Sequence, residues 1–174
     1  YAQPGKKLLF MGGEFGQWRE WNDARGLDWH LLDDPETGRY HRALLDFVRE
    51  LHRILRAHPA LHQIDDHWDG FEWIDYADVE QSVLVYARHA KERASHVVAI
   101  ANYTPLPRLS YRVGVPAAGR YAEILNSDAR VWGGSGVSNP PMLTTEPIVW
   151  QGQQQSLVLT LPPLSVLYLA PVPS

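Results

Sequence analysis

The sequence predicts a mainly β fold: an antiparallel β-sandwich led in by a single βα unit. Three observations point there. After about Ile64, short apolar runs recur as DGFEWIDY, SVLVYARH, SHVVAIANY, RLSYRVGV, RYAEILNS, SLVLTL and SVLYLA. Turn formers separate them, among them Asp69-Gly70, the stretch from Pro116 to Gly119, and Pro162-Pro163. Alternating runs punctuated by Gly and Pro mark antiparallel sandwiches and related barrels. Ahead of these runs stands one long helical period, itself preceded by one apolar run without alternation.

Taken in chain order, that first run is LLFMGG, Leu8 to Gly13, ending in two glycines before Glu14. An apolar stretch that does not alternate reads as a strand buried on both faces, as in parallel sheets covered by helices. Such a strand needs neighbours to take its backbone hydrogen bonds, and nothing ahead of it in the sequence supplies one. It therefore reads as the last strand of a larger sheet. From Arg39 to about His58, Leu44, Leu45, Val48, Leu51, Ile54 and Leu55 follow the i, i+3, i+4, i+7 spacing of one helical face. Asp33, Asp34 and Glu36 precede this helix and His52, Arg53, Arg56 and His58 close it, which complements the helix dipole; Pro59 stops it. The β runs follow. Residues 132–155 are rich in Gly, Pro, Ser and Gln and predict a long loop carrying one strand near Ile148 to Trp150. The expected division is residues 1–60 for the βα unit and 64–174 for the sandwich.

Bulk properties narrow the function. The chain has 174 residues, 45% hydrophobic and 21% charged, enough for a packed core and unlike a disordered protein. A formal net charge of −4, with Lys and Arg clustered no more densely than in pairs, gives no reason to expect nucleic acid or an anionic membrane as partner. Cysteine is absent, which removes disulfides, thiolate metal sites and a Cys nucleophile, and makes a cytosolic location the economical expectation. No apolar run approaches the ~20 residues of a membrane span, and the first residues lack the pattern of a secretion signal.

The most chemically loaded stretch is GGEFGQWREWNDARGLDWH, residues 12–30. Glu14, Gln17, Glu20, Trp21, Asn22 and Asp23 would lie at the carboxyl end of the first strand, where barrels and open α/β sheets build their sites. The mixture suits sugar, since carboxylates and amides bond hydroxyls and indoles offer a flat apolar face. The plain alternative is a long loop held together by caps and ion pairs. Glu14 and Glu20 share one loop, which argues against an acid/base pair, because catalytic residues in barrels come from several strand ends. His58, His62 and His67 tempt a metal reading, but Pro59 breaks the helix that would align the first two. There is no GxSxG, P-loop or HExxH motif. In the sandwich Trp73 shares a face with Phe71 and reads as core, while Trp132, beside the Gly-rich loop, is the better candidate for a surface indole.

With these residues in view, the chain resembles the carboxyl-terminal part of bacterial 1,4-α-glucan (glycogen) branching enzymes of the α-amylase superfamily. The likeness runs through GKKLLFMGGEFGQWREW, GLDWHLL, HPALH, DGFEWID, VVAIANYTPLPRLSYRVGVP, GRYAEILNSDARVWGGSGVSN and QQQSLVLTLPPLSVLYL in order. It implies that Leu8 to Gly12 is the eighth strand of a (β/α)8 barrel, that residues 39–57 form its closing helix, and that 64–174 is the terminal sandwich. The family's three catalytic acids lie on earlier barrel strands, so none maps onto this chain. What carries over is substrate binding by Glu14, Phe15, Gln17, Glu20 and Trp21. The resemblance further implies α-1,4-glucan or glycogen and the catalytic barrel as partners, and a retaining transfer to a 6-hydroxyl that requires no metal or organic cofactor. Two other readings stand beside it: a free-standing α-glucan-binding sandwich without catalysis, and the terminal domain of a trehalose-releasing or debranching relative.

Overall fold

The computed structural model describes residues 1–173. Among the described residues, one long helix, α1 (Gly38–Ala57), precedes eight strands. They are β1 (Phe71–Asp78), β2 (Val83–His89), β3 (His96–Asn102), β4 (Arg108–Val115), β5 (Arg120–Asn126), β6 (Leu143–Thr144), β7 (Gln155–Leu161) and β8 (Ser165–Pro171). Six strands form one antiparallel sheet in the order β1-β2-β3-β8-β5-β6, and β4 pairs with β7 in a second. The antiparallel sandwich is as the sequence predicts, and each of the seven alternating runs is a strand.

Alternation decides what each strand buries. Val83, Val85 and Ala87 of β2, Val98 and Ile100 of β3, and Leu167 and Leu169 of β8 face Tyr111, Val113 and Val115 of β4 and Leu157, Leu159 and Leu161 of β7 across one apolar core. β3 is buried along its whole length. Its second face, Val97 and Ala99, lies under Leu51 and Ile54 of α1, in a second cluster with Leu61, Leu125, Tyr168 and Ala170. A strand covered on both sides keeps no polar face, which is why β3 reads as a continuous apolar run despite its antiparallel partners.

The lead-in to α1 is fixed by Asp34, whose Oδ1 accepts from the amides of Glu36 (3.0 Å) and Thr37 (2.7 Å) and from the Thr37 hydroxyl (2.8 Å). Arg88, fully buried on β2, fastens the chain on either side of the helix to the sheet. Its guanidinium donates to the carbonyls of Gly70 (2.9 Å), Ala2 (2.9 Å) and Ile64 (3.3 Å) and to Asp65 Oδ1 (2.6 Å). A buried charge persists only when paired and hydrogen-bonded in this way. Gly70 is required there, because a Cβ would sit 2.0 Å from the Ile64 carbonyl oxygen.

Three expectations are corrected. Leu8 to Gly12 form no strand; Leu8 is 86% exposed, and no described strand runs beside the segment to take its backbone hydrogen bonds. The strand expected near Ile148 to Trp150 is absent: Ile148 and Val149 are irregular, and Trp150 opens a tight turn closed on Gln153, the two amides each donating to the other's carbonyl (3.0 and 2.9 Å). The added strand is β6, where Leu143 pairs with Tyr121 and reaches the core. Trp73 is 49% exposed on the outer face of the large sheet, opposite Tyr86, while Ile74 takes the core side of β1. Alternation places Phe71 and Trp73 together but does not say which face is inside. Trp132 is half-buried and packs its ring on Phe47 of α1 (centroids 5.6 Å).

Candidate functional site

The loop that follows LLFMGG is built inward from Phe15. Its ring is fully buried against Trp29 (centroids 4.5 Å), and its carbonyl oxygen lies 2.7 Å from His41 Nδ1 on α1. Gly16 turns the chain there with φ +68, a conformation L side chains rarely adopt, and a Cβ would come 2.9 Å from the tip of the Leu44 side chain, so glycine suits this approach to α1. Gln17 then spans the loop: Oε1 accepts from the Asp28 amide (2.9 Å) and Nε2 donates to the Arg19 carbonyl (2.9 Å). Arg19 closes it with a two-pronged ion pair to the buried Asp28 carboxylate, Nε donating to Oδ2 at 2.8 Å. The Arg19 hydrogen bond holds the Asp28 carboxyl below the usual carboxylate range. Asn22 Oδ1 caps the turn that follows by accepting from the Ala24 amide (2.9 Å).

These contacts sort the residues named from the sequence. Phe15 and Gln17 are turned to holding the loop. Glu14 is half-buried, and Glu20 and Trp21 are exposed, Trp21 with its ring edge-on to Phe10 (5.4 Å). Glu20 and Trp21, with Phe10, Met11 and Trp18, border an open hollow of ≈540 Å³. The arrangement offers indole faces beside a carboxylate acceptor, with the neighbouring guanidinium already committed to Asp28. It suits a neutral, hydroxyl-rich ligand.

Composition and spacing do not single out Trp18, Asp28 and His41. The one sequence cue to Trp18 is a second indole, Trp21, three residues on, which by itself does not say which of the two is held; nothing in the sequence ties His41 to Phe15, 26 residues away. Elsewhere His67 Nδ1 lies 3.2 Å from Asp69, and among the described residues no group of three or more His, Cys, Asp or Glu side chains is arranged to hold a metal ion. No helix among them is long and apolar enough to cross a membrane.

Comparison with known proteins places the chain. It is 50% identical over 173 residues to the 1,4-alpha-glucan branching enzyme GlgB of Rubrobacter xylanophilus, a match covering 99% of this chain and 23% of that protein. The protein of the same name from Cereibacter sphaeroides is 52% identical over 98% of this chain and 23% of its own length, and that from Aquifex aeolicus 47% over 97% and 26%. The chain thus spans about a quarter of the length of the curated relatives it matches. The crystal structure of alpha-amylase from H. orenii superposes over 98% of this chain and 33% of its own, with a TM-score of 0.55 at 16% identity, a likeness of fold. The family model described as "Alpha amylase, C-terminal all-beta domain" matches residues 73–172, from β1 to the end of β8, and the chain therefore belongs to that family.

Proposed function

We propose that this chain is the terminal part of a 1,4-α-glucan branching enzyme, a retaining glycosyltransferase that moves an α-1,4-glucan segment onto a 6-hydroxyl and so makes the α-1,6 branches of glycogen. The observation that supports this is identity near 50% to proteins of that name, over loop and sandwich alike. In this reading Leu8 to Gly12 becomes a barrel strand once parallel neighbours flank it, α1 closes the barrel, and the sandwich docks behind. Three acids on earlier strands perform the double displacement, in which a covalent glycosyl enzyme is resolved by a sugar hydroxyl in place of water. This chain supplies one wall of the site: Glu14, Glu20 and Trp21 toward the glucan, with Phe15 and Gln17 keeping the loop in shape. The partners are α-1,4-glucan or glycogen and the catalytic barrel. The setting is the cytoplasm, without membrane or nucleic acid, and the chemistry needs no metal or organic cofactor.

One observation favours a second reading, a sandwich that binds glucan by itself. Tyr1, Phe71, Trp73, Tyr86 and Tyr103 line a groove of ≈530 Å³ on the outer face of the large sheet. An iodine-staining assay on amylose, with glycogen co-sedimentation of the same sample, separates the two. The terminal-domain reading expects no change of iodine colour from this chain alone. Formation of α-1,6 linkages by the isolated chain would overturn the placement of all three acids elsewhere, and strong retention on glycogen that is lost in Trp73→Ala would favour the binding module.

A further inference from the structure

The least accounted-for side chain of the loop is Trp18. A tryptophan is ordinarily well buried, yet this one is 70% exposed. It is nonetheless held: its ring stands edge-to-face on His41, with centroids 5.1 Å apart and planes at 86°. His41 is only 4% exposed, and its one hydrogen bond is to the Phe15 carbonyl. A carbonyl can only accept, so Nδ1 carries the proton and donates; Nε2 is left buried and without a hydrogen-bond partner. Leaving a buried ring nitrogen unpaired is costly, and the ring stays put because it serves two neighbours at once, the backbone at Phe15 and the ring of Trp18. The chain from α1 through His41 thus fixes where the Trp18 indole stands at the rim of the hollow. Trp21 stands on the same rim, braced by Phe10, and Glu20 lies between the two indoles in sequence. The local guanidinium is spent on Asp28, so the hollow presents no free cation to an anionic ligand.

We propose that Trp18 is a specificity-determining residue for an α-1,4-linked glucan chain, the stacking face that receives a glucosyl ring at the rim of this hollow, and that His41 is the positioning residue that holds it there. This rests on the reading that the loop faces glucan, and it adds which side chain sets the ligand's path and what orients it.

The test is isothermal titration of the 174-residue chain with maltoheptaose, with thermal unfolding of every variant recorded beside it. Trp18→Ala is expected to weaken binding about tenfold and Trp18→Phe to retain most of it, with unfolding temperatures unchanged because the side chain lies largely in solvent. His41→Leu is expected to weaken binding several-fold. His41→Asn, whose amide can replace Nδ1 as donor to the Phe15 carbonyl, restores it; a loss of packing alone would not be rescued in this way. Wild-type binding that is untouched in Trp18→Ala overturns the role of Trp18 and leaves the glucan-facing loop standing. Binding lost in Trp18→Ala but equal in His41→Leu and His41→Asn overturns the positioning role. Absence of binding by the wild-type chain at millimolar maltoheptaose overturns the proposal, while the terminal-domain reading, in which this chain is one wall of the site, stands or falls by the iodine assay.

Discussion

Two apolar runs in this chain, LLFMGG at residues 8–13 and HVVAIAN at residues 96–102, look alike in sequence and end differently. Both are largely apolar; the first reads as a strand covered on two sides, the second as one of the recurring strands of the sandwich. The second is β3, hydrogen-bonded to β2 and β8, with the sandwich core on one face and α1 on the other. The first is exposed through Leu8, Leu9, Phe10 and Met11 and is followed by turns whose backbone bonds reach only a few residues, such as Gly13 N to Phe10 O and Gln17 N to Gly12 O. Composition is not what separates them. A strand is a property of its neighbours: the ladder needs partners on either side, and burial needs a covering layer. The N-terminal region is held instead by side-chain clasps, through Phe15, Gln17, Arg19, His41 and Arg88, which fix a loop without making it a layer.

The largest expected difference between the two regions is in amide exchange. The amides of β2, β3 and β8 are expected to exchange only on global unfolding, and those of residues 6–14 to exchange through local opening. Equal, strong protection in both regions would break the comparison. Next in size is a pair of truncations followed by urea denaturation. Ile100→Ala, in the core, is expected to cost about 4 kcal/mol, while Leu8→Ala stays within about 0.5 kcal/mol. A comparable cost at both positions would mean that the first run packs as tightly as the second. Arg88→Met tests the clasp that joins the regions. Removing the buried cation leaves the Ala2, Ile64 and Gly70 carbonyls without their donor and Asp65 with Lys7 alone, at an expected cost of about 3 kcal/mol. A change under about 1 kcal/mol would show that the two regions are stabilised independently.

The smallest effect is in acid, where the two regions answer at different pH. At one end of the sandwich His89 and His96 lie with ring centroids 6.0 Å apart, His89 Nε2 at 2.8 Å from Glu72 and His96 Nε2 at 2.8 Å from the Tyr121 hydroxyl. Burial lowers both imidazole pKa values below the ordinary 6.5. Below pH 6.5 the unfolded chain takes up protons that the folded chain refuses, so stability is complete above that value and declines as pH falls beneath it. In the N-terminal region the Arg19 hydrogen bond holds Asp28 low, and the Thr37 amide holds Asp34 low. Their contribution is complete above the ordinary 3.8 and is lost as pH falls below it. A melting series is expected to show one decline setting in below pH 6.5, reduced by His89→Gln with His96→Gln and with a remainder from His58, whose pKa burial also lowers, and a second below 3.8. A melting temperature that is flat down to about pH 5 would place the imidazoles in a less buried setting than the structure gives them.

The candidate site was legible to a similar degree and for a similar reason. Glu14, Gln17, Glu20 and Trp21 stand out because carboxylates, amides and indoles crowd one loop. Their division into groups that hold the loop and groups that face outward was not visible, since Gln17 is occupied by the Asp28 amide and Phe15 by Trp29 and His41, none of them adjacent in sequence.

The sequence by itself determined the periods: the two-residue alternation that became seven strands, the helical face from Leu44 to Leu55, and the Gly and Pro positions at which the chain turns. Those features are local, set by backbone sterics and by side-chain direction within one element. Tertiary structure alone decided which apolar face is inside, as at Trp73 and Ile74, whether an apolar run becomes a strand, as at Leu8 to Gly12, and which polar groups of the loop remain free. Each of these depends on what another part of the chain brings to the same place, because burial and hydrogen-bond satisfaction are properties of pairs of elements and not of either one.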